Sequence, residues 1–431
     1  MRYIINPSNV SGEAFAPSSK SHTLRAILFA SLAQGVSVIT NPLKSVDTEA
    51  MINACQNLGS IFNFEKNQLI ISSTQKKFFE TPSLIDVKNS GITLRFLTAL
   101  AALSKSPITF TGDPSVHRRP MTPLLKSLMD AGAKITANVS SNSLFSISHL
   151  NTHKKIDFSV DGSDSQFVSA LLIMLPLRKQ ISTISVSNPG ELPWVKLTLD
   201  WLKRLGIQLT ANNSLTHFSV PGNQSYRPFS YSVPGDFSSA SFLLGATLLA
   251  GRKTGAVTIH NLNFNDLQGD KELFHLLKSL GADITFNNNS VVTSSKNSWQ
   301  GFSVDANLFI DAVPILAVLA LSAQTPSRIY NAKIAKTKEC DRLVCTTKEL
   351  KKMGAKITIL NDDELIIHPS QLKGAQVHSH NDHRLAMALT TAALRAKGTT
   401  VIHQTECIGK SFPNFLESLC KMHADIHEEI E

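Results

Sequence analysis

The chain of 431 residues is too long for one ordinary hydrophobic core, so two domains are expected. Its 42% hydrophobic and 17% charged residues exclude long disorder. The balance of 42 Lys and Arg against 33 Asp and Glu, a formal +9, suits a negatively charged partner: nucleic acid, an acidic membrane or a phosphorylated metabolite.

No long basic run supports a nucleic-acid stripe; the basic residues that draw attention stand singly beside Ser, Asp, Gly and Asn. Five cysteines, an odd number without a CxxC pair, fit a reducing compartment. No window reaches the roughly 18 apolar residues of a membrane span, and Met1–Pro7 lacks the apolar core of a signal peptide. The expectation is a cytoplasmic protein with neither a nucleic-acid nor a membrane partner.

The first predicted helix opens at Pro17-Ser-Ser-Lys20-Ser21 and carries Arg25 about one turn later. A lysine and a serine at a helix start meet unpaired backbone amides and the positive end of the dipole, which together favour an anion. A strand follows at Val36-Ser-Val-Ile-Thr. A second, amphipathic helix then ends at Asn-Leu-Gly59, with glycine closing it.

The same phrase recurs along the chain. A helix from Ser90-Gly91, carrying Arg95, leads to a strand at Ile108 and a helix closed by Gly132. Ser165-Gln166 opens the next copy, closed by Gly206. The Pro- and Ser-rich stretch Val220–Gly235 then marks the divide between domains. Ser238-Ser239 opens the fourth copy, with a strand at Val257 and closure at Gly281. Asp311 and Asp382-His383 open the last two, closed by Gly354 and, degenerately, His423. Six copies at a spacing of roughly 70 residues make an α/β repeat architecture, too long-period for a thin solenoid and so globular. Asn287-Asn-Asn-Ser and Val139-Ser-Ser-Asn-Ser read as hairpin or surface loops.

Polar starts of several helices pointing into one space would supply an anion site from backbone, with Arg25 and Arg95 each able to reach back to its own helix start. The second helices begin with more candidates: Arg118-Arg119-Pro120, Lys338-Glu339-Cys-Asp-Arg342 and Gly409-Lys410-Ser-Phe-Pro413. Pro just inside a helix start is ordinary capping, but the same residue class at the same phase of successive copies points to a site. Asp311 and Glu339 are the acids among these cations, a setting that favours a proton acceptor; for Asp311, a simple helix N-cap is the alternative. His378, His380 and His383 match no metal pattern. No dinucleotide or P-loop motif occurs.

These residues together carry a resemblance. Pro-Ser-Ser-Lys20-Ser21 with Arg25, Asn89-Ser-Gly91 with Arg95, Arg119-Pro-Met, Ser165-Gln166-Phe, Gly235-Asp-Phe-Ser-Ser-Ala, Lys338-Glu339-Cys-Asp-Arg342, Asn381-Asp-His-Arg384-Leu-Ala-Met and Lys410-Ser-Phe-Pro resemble, in order, the 5-enolpyruvylshikimate-3-phosphate synthase family. The resemblance implies a two-domain inverse α/β barrel-like fold of six βαβαββ repeats, three per domain. The N-terminal domain would span 20–232, with 1–19 and 233–431 forming the other and the active site lying in the cleft between them.

The implied reaction transfers the enolpyruvyl group of phosphoenolpyruvate to the 5-hydroxyl of shikimate 3-phosphate, with release of phosphate. It needs no cofactor and no metal, and the protein is expected to be a monomer. Carried over, shikimate 3-phosphate falls to Lys20, Ser21, Arg25, Ser165, Gln166, Asp311 and Lys338. Phosphoenolpyruvate falls to Lys20, Gly91, Arg119, Gln166, Arg342, Arg384 and Lys410, and catalysis to Asp311, Glu339 and Lys20. The chain departs from the family's pattern at Ile92, Phe96, Asp164, Glu191, Trp194 and Ile334. Rival readings are an enolpyruvyl transferase acting on UDP-N-acetylglucosamine, against which the lack of Cys between Gly112 and Met121 speaks, and an inactive anion-binding relative.

Overall fold

The computed structural model describes residues 1–74, 83–137, 143–151, 153–251 and 255–430. The loop read at Val139 falls almost wholly outside these residues. The described chain divides into two units, Ser19–Val233 and Met1–Ser18 with Pro234–Glu431, each closed around its own hydrophobic core.

In Ser19–Val233 the core is built on the helices Lys20–Leu32, Gly91–Ala101 and Ser165–Met174, and in the other unit on Phe237–Ala250, Val313–Ala320 and His383–Ala393. These six are buried nearly all round, the mark of an enclosed helix rather than a surface one. Every residue of Phe237–Ala250 is buried. Close packing of that unit's three helices demands a glycine: a Cβ on Gly245 would sit 2.7 Å from Ile315 Cδ1 and 3.2 Å from Thr391 Cγ2. Five of the six starts are capped by a side chain, Ser19, Ser90, Asp164, Asp236 and Asp382. The sixth is entered through the turn Ile310–Ala312.

Six outer helices, Val46–Asn57, Thr122–Asp130, Leu192–Arg204, Glu272–Ser279, Arg342–Lys352 and Phe415–Lys421, accompany them. Each turns into a strand through a left-handed residue: Gly59, Gly132, Gly206, Gly281 and Gly354 at φ of 99°, 98°, 78°, 103° and 92°, and His423 at 69°. Pro120 and Pro413 lie ahead of their helices, not inside them; in the second repeat it is Pro123 that occupies the first turn.

Each repeat owns a four-stranded sheet of one topology. In the fifth, Ser303–Asp305 runs parallel to Ser327–Tyr330, which pairs antiparallel with Glu364–His368, itself antiparallel to Lys356–Leu360. Three sheets are completed from elsewhere in the chain. Ser230–Ser232 supplies the leading strand of the first sheet by pairing with Gly35–Thr40. Gly12–Phe15 does the same for the fourth by pairing with Val257–His260. Arg2–Ile5 sits between Thr400–His403 and Ile426–Glu429 in the sixth. The two changes of unit, at 18/19 and 233/234, thus each fall between a leading strand and the helix after it. The Asn287–Ser290 segment is the turn of a hairpin, as its composition suggests. Among the described residues, no helix is long and apolar enough to cross a membrane.

Candidate functional site

Within Ser19–Val233 the first helix presents Lys20, whose Nζ lies 3.4 Å from Asp47 Oδ2. Arg25 does reach back: Nη1 donates to the Ser21 carbonyl at 3.2 Å, while Nε and Nη2 donate to Thr198 Oγ1 at 3.1 and 2.9 Å. Its guanidinium, 5.3 Å from the Phe96 ring centroid, is fully enclosed, and burial lowers its pKa to about 9. A cation held only by neutral acceptors in such a place gains from an incoming anion.

Arg95 is tied across to the third repeat. Nη1 donates to Gln166 Oε1 at 3.2 Å, and Nη2 lies 3.3 Å from both the Pro120 carbonyl and Asp164 Oδ2. Asp164 caps its helix with the other oxygen, accepting from Gln166 N at 2.9 Å. Arg119 donates to Asn89 Oδ1 at 2.7 Å and Ser115 Oγ at 3.1 Å. Gly91 allows the two arginines to approach, since a Cβ there would meet Arg95 Nη1 at 2.5 Å and Arg119 Nη1 at 2.8 Å. Ser165 is engaged by Glu191, whose Oε2 accepts its N–H at 3.0 Å and its hydroxyl at 2.9 Å.

The unit of Met1–Ser18 and Pro234–Glu431 gathers a denser group around Arg342, which is 1% exposed. Nε donates to Asp382 Oδ2 at 2.7 Å, Nη1 to Asp311 Oδ1 at 2.7 Å, and Nη2 to Glu339 Oε2 at 2.9 Å. Burial alone would lower the pKa of this guanidinium, but Asp382, Glu339 and Asp311 together outweigh burial and push it up. Asp311 Oδ2 also accepts from Arg384 Nη2 at 3.0 Å, and Glu339 Oε1 from Lys410 Nζ at 2.6 Å. Lys338 lies half-buried one residue before Glu339.

The cap alternative for Asp311 does not hold: it sits inside the turn Ile310–Ala312, and the helix after it has no side-chain cap. Glu339, Asp382 and His383 bring ligand atoms within 4.8 Å of one another. Glu339 already holds Arg342 and Lys410 at hydrogen-bond distance and Asp382 holds Arg342, so a metal ion would face fixed positive charge; the donor set does not fit one. His378 and His380 are occupied elsewhere, the first stacked on His403 at 4.7 Å and the second 2.9 Å from Glu349.

Residues 4–419 match the model of the family described as EPSP synthase (3-phosphoshikimate 1-carboxyvinyltransferase). The chain belongs to the EPSP synthase family. It is 45% identical over its whole length to the 3-phosphoshikimate 1-carboxyvinyltransferase of Chlamydia felis, covering 96% of that protein. It is 46% identical to that of Chlamydia caviae over 99% of itself and 95% of the relative. The fold is that of the solved EPSP synthase of Acinetobacter baumannii, with a TM-score of 0.81 over 99% of this chain and 100% of the other at 24% identity. As a member of the EPSP synthase family the chain is an enolpyruvyl transferase of the shikimate pathway, moving the enolpyruvyl group of phosphoenolpyruvate to shikimate 3-phosphate for aromatic amino acid biosynthesis.

At the positions departing from the EPSP synthase pattern the structure shows packing and charge. Phe96 is fully buried under Arg25, Ile334 packs on the core, and the Trp194 carbonyl accepts from Arg25 Nη2 at 3.4 Å. Asp164 and Glu191 bring carboxylates to one helix start. Sequence reasoning left out the acids Asp47 and Asp270 and took Glu191 only as a departure from the family's pattern. The signal was available: each lies at the start of an outer helix, the phase at which other repeats carry Arg119, Glu339 and Lys410.

Proposed function

We propose that the reaction runs by attack of the 5-hydroxyl of shikimate 3-phosphate on C2 of phosphoenolpyruvate. The hydroxyl proton passes to Asp311, and C3 takes up a proton from the Lys20 ammonium. The C2–phosphate bond then breaks as C3 returns a proton to Glu339, with Lys20 a participant in the proton transfers. The observation that carries this is the pair of acids Asp311 and Glu339 bound to one buried guanidinium at 2.7 and 2.9 Å, each with its second oxygen on another cation. Bracketing by cations favours the anion and hence proton acceptance, while the cations neutralise the phosphates and carboxylates of both substrates.

Lys20, Ser21, Arg25, Ser165, Gln166, Asp311 and Lys338 hold shikimate 3-phosphate in this reading. Lys20, Gly91, Arg119, Gln166, Arg342, Arg384 and Lys410 hold phosphoenolpyruvate. The domains that carry them are 20–232 and 1–19 with 233–431. We place the protein in the cytoplasm as a monomer: its cysteine pattern suits a reducing compartment, and each unit closes its own core.

The purified protein is expected to release inorganic phosphate only when both substrates are supplied. Release with UDP-N-acetylglucosamine in place of shikimate 3-phosphate would overturn the reading. A second expectation concerns Gly91→Ala. The added methyl must displace Arg95 and Arg119, and losing one charge-assisted contact to the anion raises KM for phosphoenolpyruvate about 10-fold or more with a smaller change in kcat. Steady-state kinetics with phosphoenolpyruvate varied would show it; an unchanged KM would remove Gly91 and its arginines from the site.

A further inference from the structure

One fully buried acid takes no part in the steps above. Asp270 lies in the turn Gly269–Lys271 immediately before the outer helix Glu272–Ser279, the phase at which other repeats carry Arg119, Glu191, Glu339 and Lys410. The turn is firmly held. Gln268, itself fully buried, donates to the Gly235 carbonyl at 2.9 Å and accepts from Phe237 N at 3.1 Å. Lys271 Nζ donates to the carbonyls of Phe264 and Asp266 at 3.1 and 2.7 Å.

Asp270 is 0% exposed, and neither carboxylate oxygen has a hydrogen-bond partner of ordinary geometry among the described residues. Its turn packs on the helix Phe237–Ala250, against which the turn carrying Asp311 and the helix carrying Arg384 also pack. Arg384 shows the complementary pattern: Nη2 donates to Asp311 at 3.0 Å, but Nε and Nη1 are buried without a hydrogen-bond partner among the described residues.

We propose that Asp270 is a positioning residue of the reaction, a buried acid beside Arg384 whose charge state sets how tightly that guanidinium holds Asp311. The inference rests on the reading of Asp311 as acceptor of the hydroxyl proton. The charged groups that act on Asp270 are Asp311, Arg384 and Asp236, with the Ser238 hydroxyl near. The helix Phe237–Ala250 carries no titratable side chain, and Glu272, His275 and Lys278 of the following helix are exposed. Burial first, then the Asp311 carboxylate, raises its pKa to about 7. Arg384 and Ser238 offset part of this, and Asp236 adds to it. With Asp270 neutral, Arg384 compensates Asp311 alone. With Asp270 ionised, two carboxylates share one guanidinium, and Asp311 becomes the stronger base.

The test is Asp270→Asn, which keeps the shape and fixes the neutral state. In the wild type, kcat is expected to rise through an inflection near pH 7. The variant lacks the inflection and stays at the low-pH value, about tenfold below wild type above it, with KM for both substrates changed far less. A substrate-free readout accompanies this. An acid whose folded pKa is raised contributes stability at low pH that is lost as pH rises through the folded value. Wild type should therefore lose melting temperature relative to the variant between about pH 4 and about pH 7 and run parallel to it above.

An inflection retained in Asp270→Asn overturns the proposal. So does a pH-independent fall in kcat with parallel melting curves, which would mark a purely structural role. A melting difference without any inflection in the wild-type rate overturns the coupling to catalysis, and leaves the acceptor role of Asp311 to its own substitution.

Discussion

Asp311→Ala is expected to abolish measurable turnover while shikimate 3-phosphate still binds. The carboxylate has one oxygen 2.7 Å from Arg342 Nη1 and the other 3.0 Å from Arg384 Nη2, so it is held in one orientation. Loss of a positioned base costs roughly 10²–10⁴ in rate, and the two nearby acids Glu339 and Asp382 are already committed, the first to Arg342 and Lys410 and the second to Arg342. Removing the acid leaves two guanidinium groups with less compensation, which favours binding of an anionic ligand. The split between binding and turnover therefore separates a catalytic role from a structural one. Calorimetric titration with shikimate 3-phosphate beside a phosphate-release assay reads both, and near-normal turnover would refute the assignment.

How much of this was legible in the sequence depends on how local each signal was. The period was legible because a helix closed by a left-handed residue selects glycine, and all six positions, His423 at φ 69° included, adopt that conformation. The cations Arg119, Arg342 and Lys410 were legible for the same reason: their phase repeats. The winding was less so. Nothing in Gly12–Phe15 or Arg2–Ile5 says that these strands pair with residues more than half the chain away, in the fourth and sixth sheets. Pairing over such distance leaves no local trace.

Asp382 and Asp164 were less legible than Asp311 and Glu339, because an acid just before a helix has a sufficient local explanation. Asp382 reads as the cap of its helix, and it is: Oδ1 accepts from Arg384 N at 2.8 Å. Its other oxygen meanwhile holds Arg342 at 2.7 Å. Asp164 divides itself the same way between Gln166 N and Arg95. A carboxylate has lone pairs enough for a cap and an ion pair together, so the local reading was correct and incomplete.

The second large effect is expected from Arg342→Met. The side chain is 1% exposed and meets Asp382, Asp311 and Glu339 within 2.9 Å. Methionine fills much of the space but leaves three acids with less compensation, and removal of one partner from a buried ionic cluster costs about 3–5 kcal/mol. For a unit of this size each kcal/mol lowers the melting temperature by about 2–4 °C, so a fall of roughly 10 °C is expected. The loss should depend on pH. Without Arg342 the charge of three neighbouring carboxylates is less compensated in the folded state, whereas in the unfolded chain water solvates each. Such groups favour the fold at low pH and cease to do so as pH rises. The gap between variant and wild type should therefore widen from acid to neutral pH. Arg342→Lys should rescue only part of it, since one ammonium cannot reproduce the fork that reaches three carboxylates from three nitrogens. Thermal melts of the three proteins across pH would decide it. A variant that melts with wild type at neutral pH would mean that these carboxylates are solvated without the arginine, and that Arg342 serves the substrate alone.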